Sequence, residues 1–188
     1  MGGGKAKVII IGGPTATGKT EVAISLAEAL DGEIINADSM QFYKYMDIGT
    51  AKPSAEELKL APHHLFSIVE PDEWFDAAKF MCLGRRLIEE ISERCNVPLV
   101  VGGTGLYIRA LIQGLFPGAE GNKDIRQSLY KEAESIGYGA LYRRLKRLDP
   151  KAAEKIHPND IYRIVRALEV IKLTGQQLSA LHLSLIHI

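Results

Sequence analysis

Apolar positions change their spacing along this chain, and the change divides it. Residues 7–11 form a short β-branched run closed by Gly12-Gly13, which predicts a buried strand. Val22, Ala23, Leu26, Ala27 and Leu30 recur at helical spacing over residues 19–30, and Asp31-Gly32 stops that helix. Residues 33–36 read as a second strand. Residues 37–62 read mostly as loop, with a short helix near 55–60, and residues 66–69 as a third strand. Residues 76–94 predict a helix with Ala77, Phe80, Met81, Leu83, Leu87, Ile88 and Ile91 facing inward. A further buried strand is expected at 97–101 and a helix at 105–113. Strands alternating with helices imply right-handed crossovers and parallel pairing, an α/β doubly wound sheet.

After Leu115 the period changes. Residues 116–122 contain Pro117, Gly118 and Gly121 and read as a linker. Residues 123–174 show only helical periods, broken at Gly137-Tyr138-Gly139, Asp149-Pro150 and His157-Pro158, and no strand signal returns. The expected organisation is an α/β core over 1–116, a helical part over 117–175, and an end segment over 176–188 without a closing element.

Composition adds exclusions. The 188 residues are 46% hydrophobic and 24% charged, ordinary globular values that exclude intrinsic disorder. Formal charge balances, yet residues 1–116 carry a net −4 and residues 117–188 a net +4. The helical part is therefore expected to present a basic surface. No run approaches the ~18 apolar residues that span a bilayer, so no membrane partner is expected. The first apolar run is too short for a signal peptide. Met1-Gly2 fails as a myristoylation start because Ala6 stands where Ser or Thr is needed. Cys82 and Cys95, without Cys-x-x-Cys spacing, read as reduced thiols of a cytoplasmic protein, expected to be a monomer.

Candidate chemistry begins at Gly13-Pro14-Thr15-Ala16-Thr17-Gly18-Lys19-Thr20, a full G-x-x-x-x-G-K-[ST] phosphate-binding loop between a strand and a helix. Small residues let successive N–H groups wrap an anion, and the helix adds its N-terminal dipole. Lys19 supplies a mobile charge and Thr20 a hydroxyl for Mg²⁺. The guanine-reading Asn-Lys-x-Asp is not met by Asn122-Lys123-Asp124-Ile125. The strand at 97–101 ends in Gly102-Gly103-Thr104-Gly105 rather than in a Walker-B Asp, so GTPase and motor-ATPase readings fade. Asp38-Ser39-Met40-Gln41-Phe42-Tyr43 follows the second strand, where ligands of α/β folds bind, so Asp38 is expected to face the loop. A lone Asp there is also common as a turn or cap residue. Near the end of the helical part, Asn159 or Asp160 caps a helix. Arg163 and Arg166 share one face of that helix, and Ile164, Leu168 and Ile171 form its buried side. Such a pair is either a solvated surface or a phosphate clamp.

Together these pieces resemble the tRNA dimethylallyltransferases (tRNA isopentenyltransferases). The resemblance rests on the phosphate loop, Asp38-Ser39-x-Gln41-x-Tyr43, Met46-Asp47-Ile48-Gly49-Thr50-Ala51-Lys52-Pro53, His63-His64, Val101-Gly102-Gly103-Thr104-Gly105-Leu106-Tyr107 and His157-Pro158-Asn159-Asp160. It runs from about residue 7 to 179, and residues 46–53 are its most specific stretch. It implies a P-loop NTPase-like core with a helical insertion, and transfer of a dimethylallyl group from dimethylallyl diphosphate to N6 of adenine 37 beside the tRNA anticodon. The loop, commonly labelled ATP-binding, would hold the diphosphate with Mg²⁺. Lys19 and Thr20 would then stabilise charge on the departing diphosphate, and Asp38 would take the N6 proton. The resemblance also implies that Asp38, Ser39, Met40, Gln41, Thr104, Arg126, Tyr162, Arg163, Ile164, Val165 and Arg166 contact tRNA. Family members run longer and return to the core after the helical insertion. A C-terminally truncated member is therefore expected, with residues 181–188 departing from the family pattern. Two other readings stay open here: a small-molecule P-loop kinase using Arg143, Arg144, Lys146 and Arg147 as a lid, and a fragment that binds RNA or diphosphate without turnover.

Overall fold

The structure is a computed structural model that describes residues 7–115 and 121–184. The chain forms two compact units, Met1–Ile112 and Gln113–Ile188. Most of the expected linker and residues 185–188 of the expected end segment lie outside the described residues.

The first unit carries β1 (Ile9–Gly12), α1 (Lys19–Leu30), β2 (Gly32–Asn36), α2 (Glu57–Leu60), β3 (His63–His64), α3 (Ala77–Glu93), β4 (Val97–Gly102) and α4, which starts at Gly105 and runs to Gln113. The four strands among the described residues are all parallel, in the order β1-β4-β2-β3. Alternate side chains leave the sheet on opposite faces. Ile34, Leu99 and Val101 pack with Ala23, Ile24 and Ala27 of α1. Ile35 and Val100 pack on the other face with Phe80 and Ile91 of α3 and Tyr107 and Leu111 of α4. Helices thus cover both faces of a parallel sheet, as the alternation of periods implied.

Three expectations need correction. The first strand is not buried: among the described residues β1 lies at the sheet edge with β4 as its strand neighbour, and Ile10 is 38% exposed. Residues 66–69 are not a strand. Leu65 and Ser67 both adopt positive φ (64° and 51°), which breaks extended backbone, and the short strand forms earlier, at His63–His64. Val69 makes only an isolated parallel bridge to Tyr43. Leu83 of α3 points away from the core, because Gly84 takes the inward position against Leu111.

The start of β2 is held by charge. Buried Glu33 accepts hydrogen bonds from Arg94 Nη2 (2.9 and 3.0 Å), Arg94 Nε (3.2 Å), Asn96 Nδ2 (2.9 Å) and His64 Nε2 (2.6 Å). Burial alone would raise the Glu33 pKa, but these donors together pull it down to about 2. A carboxyl more acidic folded than unfolded contributes stability above its ordinary value of 4.5 and loses it as pH falls towards 2. We expect Glu33→Gln to remove ~3 kcal/mol of this acid-range slope in urea unfolding followed between pH 6 and pH 2. An unchanged slope would mean that solvent, not these donors, governs the carboxylate.

The second unit is helical: α5 (Lys123–Ile136), α6 (Tyr138–Leu148), α7 (Pro150–Lys155), α8 (Ile161–Thr174) and α9 (Leu178–Ser184). Gly137 alone, at φ 85°, separates α5 from α6, and Gly139 stays within the helix. Asn122, considered above as part of a guanine motif, instead caps α5 by accepting from the Ile125 N–H. Asp160 caps α8 through the Arg163 N–H at 3.1 Å. The core gathers Leu129, Leu141, Leu145, Ile164, Val165, Ala167 and Leu168, while Ile171 is only half-buried. α9 was not expected. Buried Asp149 ties it down, accepting from the Ser179 N–H and hydroxyl while also capping α7. Among the described residues, no helix is long and apolar enough to cross a membrane.

Candidate active site

The phosphate loop turns between β1 and α1 on two left-handed residues, Ala16 (φ 63°) and Gly18 (φ 77°), the second serving as the N-cap of α1. Thr17 donates to the Pro14 carbonyl at 2.9 Å, closing the turn, and the Lys19 ammonium lies 2.5 Å from the same oxygen. The loop is therefore shaped by its own backbone, with Lys19 folded over it. Residues 15–20, Asp38, Gln41, His63 and Gly102 line one cleft of about 260 Å³. The expectation that Asp38 faces the loop is met.

Asp38 is placed by three strand ends. Buried Asn36 accepts from the Asp38 N–H (2.8 Å) and donates to the carbonyls of Asp38 (3.2 Å) and Leu65 (3.0 Å). Ala37 N–H donates to the Val101 carbonyl at 2.7 Å, and Thr104 N–H donates to the Ala37 carbonyl at 3.2 Å. Gly102 makes this approach possible, because a Cβ there would fall 2.2 Å from the Ala37 carbonyl carbon. Thr104 Oγ1 accepts from the Ser39 N–H at 2.9 Å and donates to the Ser39 hydroxyl at 3.2 Å. Asp38 also accepts the Met40 N–H at 3.1 Å, so it serves a turn while facing the cleft. Gly-Gly-Thr-Gly, weak alone as a motif, is thus the brace of the Asp38 turn.

Gln41 donates to the carbonyls of Thr50 and Ala51 at 2.9 and 2.8 Å, tying the cleft to the stretch 46–53. Lys52, whose side chain is only 7% exposed, donates to the Tyr43 carbonyl, Asp47 Oδ1 and Ser67 Oγ. Positive φ at Tyr45, Gly49 and Ala51 lets the loop wrap around this ammonium. That accounts for a residue pattern that phosphate binding itself does not require.

Sequence reasoning gave His63 no separate role. Its Nδ1–H donates to the Ala61 carbonyl at 2.7 Å, which fixes the tautomer and makes Nε2 an acceptor. Nε2 is buried without a hydrogen-bond partner, and burial holds the imidazole pKa below its ordinary value. His63-His64 is one of the pieces that carry the family resemblance, but nothing in the spacing assigned His63 a role.

The remaining expected contacts lie in the helical unit. Arg163 is exposed and pairs with Asp160 at 2.9 Å. Tyr162 is half-exposed. Ile164 and Val165 need correction as RNA contacts: both residues are fully buried in the helical core and present no surface to an RNA. Arg126 and Arg166 both bond Glu169, which is fully buried and which the sequence reading did not single out. It sits in the apolar stripe of α8, three residues after Arg166. Buried glutamates seldom lack partners, and that was the available signal.

Among the described residues, no three His, Cys, Asp or Glu side chains converge to hold a metal. Thr20 lines the same cleft as the loop, and its hydroxyl is the kind of hard oxygen ligand that Mg²⁺ takes.

A parallel sheet with a phosphate loop after its first strand, and helices on both faces, defines a P-loop NTPase-like α/β fold. The family model described as IPP transferase matches residues 41–185, and that described as Isopentenyl transferase matches residues 6–66. The chain belongs to the IPP transferase family. It is 54% identical to a tRNA dimethylallyltransferase of Geobacter sulfurreducens, over 94% of this chain and 57% of the relative. It is 49% identical to one of Caldanaerobacter subterraneus, over 92% and 55%. The chain thus spans about half the length of the curated relatives it matches. Among solved structures, a eukaryotic dimethylallyltransferase described as acting on tRNA is 36% identical with a TM-score of 0.78, over 94% of this chain and 44% of that one. The full-length tRNA isopentenylpyrophosphate transferase of Bacillus halodurans is 50% identical with a TM-score of 0.60, over 92% and 57%.

Proposed function

We propose that this chain carries the catalytic centre of a cytoplasmic tRNA dimethylallyltransferase, moving a dimethylallyl group from dimethylallyl diphosphate to N6 of adenine 37. The observation that supports this most is a carboxylate, Asp38, sharing one cleft with a complete phosphate loop and no Walker-B acid. The loop amides and Lys19 hold the diphosphate. As the allylic carbon–oxygen bond breaks, its electron pair stays on the diphosphate, and Lys19 and the amides stabilise that charge. Mg²⁺, held through Thr20, would supply further charge neutralisation. The adenine leaves the anticodon-loop stack to enter the cleft. Its N6 forms the new bond to carbon, and Asp38 accepts the N6 proton. Gln41 and the Ser39–Thr104 pair border the base, and Arg126, Tyr162, Arg163 and Arg166 contact RNA.

Incubation with dimethylallyl diphosphate, Mg²⁺ and tRNA, followed by mass spectrometry of anticodon-loop adenosine, tests the reading. A dimethylallyl mass increase on that adenosine is expected. Nucleoside phosphorylation without it would favour a kinase. Exposed Arg163 gives a second check. Arg163→Gln should weaken RNA binding and lower the log–log salt slope by roughly 0.7–0.9. If slope and affinity both hold, Arg163 serves only its cap-side ion pair with Asp160.

A further inference from the structure

The buried Glu169 is the one fully buried acid of α8, and the reaction outlined above gives it no part. It sits between two helices. Its Oε2 accepts from Arg166 Nη1 of α8 at 2.7 Å and from Arg126 Nη2 of α5 at 3.1 Å. Its Oε1 accepts from Arg126 Nη2 at 3.3 Å and from the Asn122 N–H at 2.6 Å. Burial opposes its ionisation, but the Asn122 N–H and the two guanidiniums outweigh that and hold its pKa below the ordinary carboxylate value.

Gly121 completes the arrangement. It adopts φ +75°, and a Cβ there would fall 2.8 Å from Arg126 Nη2, 3.1 Å from Glu169 Oε1 and 3.2 Å from Arg166 Nη1. The chain passes against the cluster only because this residue has no side chain.

Packing alone does not explain the arrangement, since an apolar set of the same volume often stabilises a core as well or better. The two arginines also differ from Glu169 in exposure: the carboxylate is sealed, while their side chains remain 25% and 22% exposed. Long guanidinium side chains lose much rotamer entropy when they bind an anion, and prior fixation removes that cost. We propose that Glu169 is a positioning residue for RNA: it touches no substrate, and it fixes Arg126 and Arg166 of two helices as one phosphate-gripping pair. The inference rests on the reading that both arginines contact tRNA.

Fluorescence anisotropy with a labelled anticodon stem-loop RNA, over a salt series, tests it. Glu169→Gln should weaken RNA binding about tenfold, with dimethylallyl diphosphate binding unchanged. The salt slope should fall by roughly 0.7–0.9 for each phosphate that is no longer neutralised, which a mere loss of folded protein would not produce. In an Arg126→Gln/Arg166→Gln background the same change should alter affinity less than about twofold, because the groups it positions are gone. An equal loss in that background, or a loss at constant slope, makes Glu169 a structural residue and overturns the proposal. If the double arginine variant binds RNA like the wild type, the underlying reading fails, and the proposal with it. Should Glu169→Gln not unfold cooperatively, Gly121→Ala carries the test. It displaces the guanidiniums while keeping the carboxylate, and unchanged RNA affinity there refutes the positioning role.

Discussion

Asp38→Asn is expected to bind both substrates while single-turnover prenyl transfer falls by roughly 10²–10⁴, the usual contribution of a general base. The substitution is chosen for what it preserves. Asp38 Oδ1 accepts the Met40 N–H at 3.1 Å, and an amide oxygen can still do so, leaving the turn intact. Asn36, Thr104 and Gly102, which brace that turn through backbone, are untouched. Diphosphate affinity should barely change, since removing a negative charge from the cleft does not disfavour an anion. Only the capacity to take the N6 proton is lost. Asp38→Ala should be as slow or slower, with the base held more weakly. Near-normal single-turnover rates in Asp38→Asn would leave Asp38 as a turn residue and water as the proton acceptor.

Lys19→Ala acts on the other half of the cleft. Its ammonium lies 2.5 Å from the Pro14 carbonyl, and the flexible stem lets it swing from that oxygen to a diphosphate. Loss of one such charged donor to a developing anion costs roughly 10²–10³ in rate. Calorimetry should show markedly weaker dimethylallyl diphosphate binding, and thermal unfolding should shift little because the bond to Pro14 is exposed. Wild-type affinity and rate in this variant would remove the loop from the mechanism.

The phosphate loop and α1 were legible because their signals are local: glycine for left-handed turns, apolar residues at helical spacing. The hydrogen bonds that set Asp38 were not. Gly102 announced a turn, yet its closeness to Ala37 follows from pairing two strands more than sixty residues apart in sequence. Residues 66–69 misled for a related reason: their side chains suit a strand, while the positive φ of Leu65 and Ser67 answers to packing around Asn36 and Lys52. Ile164 and Val165 sat within a stretch implicated as a whole by resemblance, and only burial separates them from Tyr162 and Arg163. Glu169 was hidden by its apolar neighbours. Its partners Asn122 and Arg126 lie more than forty residues earlier in the chain.

The pairing of β1 with β4 has a consequence for how the protein is made. Ile9 pairs with Leu99, so the strand that feeds the phosphate loop meets β4 only after some ninety further residues are synthesised. At 5–20 residues per second, the ribosome takes roughly 5–20 s to deliver β4. Throughout that interval the Ile-rich strand is a hazard for mispairing, the sort of segment chaperones shield. Capacity to bind a diphosphate should therefore appear late. Nascent chains stalled before Val97 emerges carry the entire loop sequence without the β4 strand that pairs with β1.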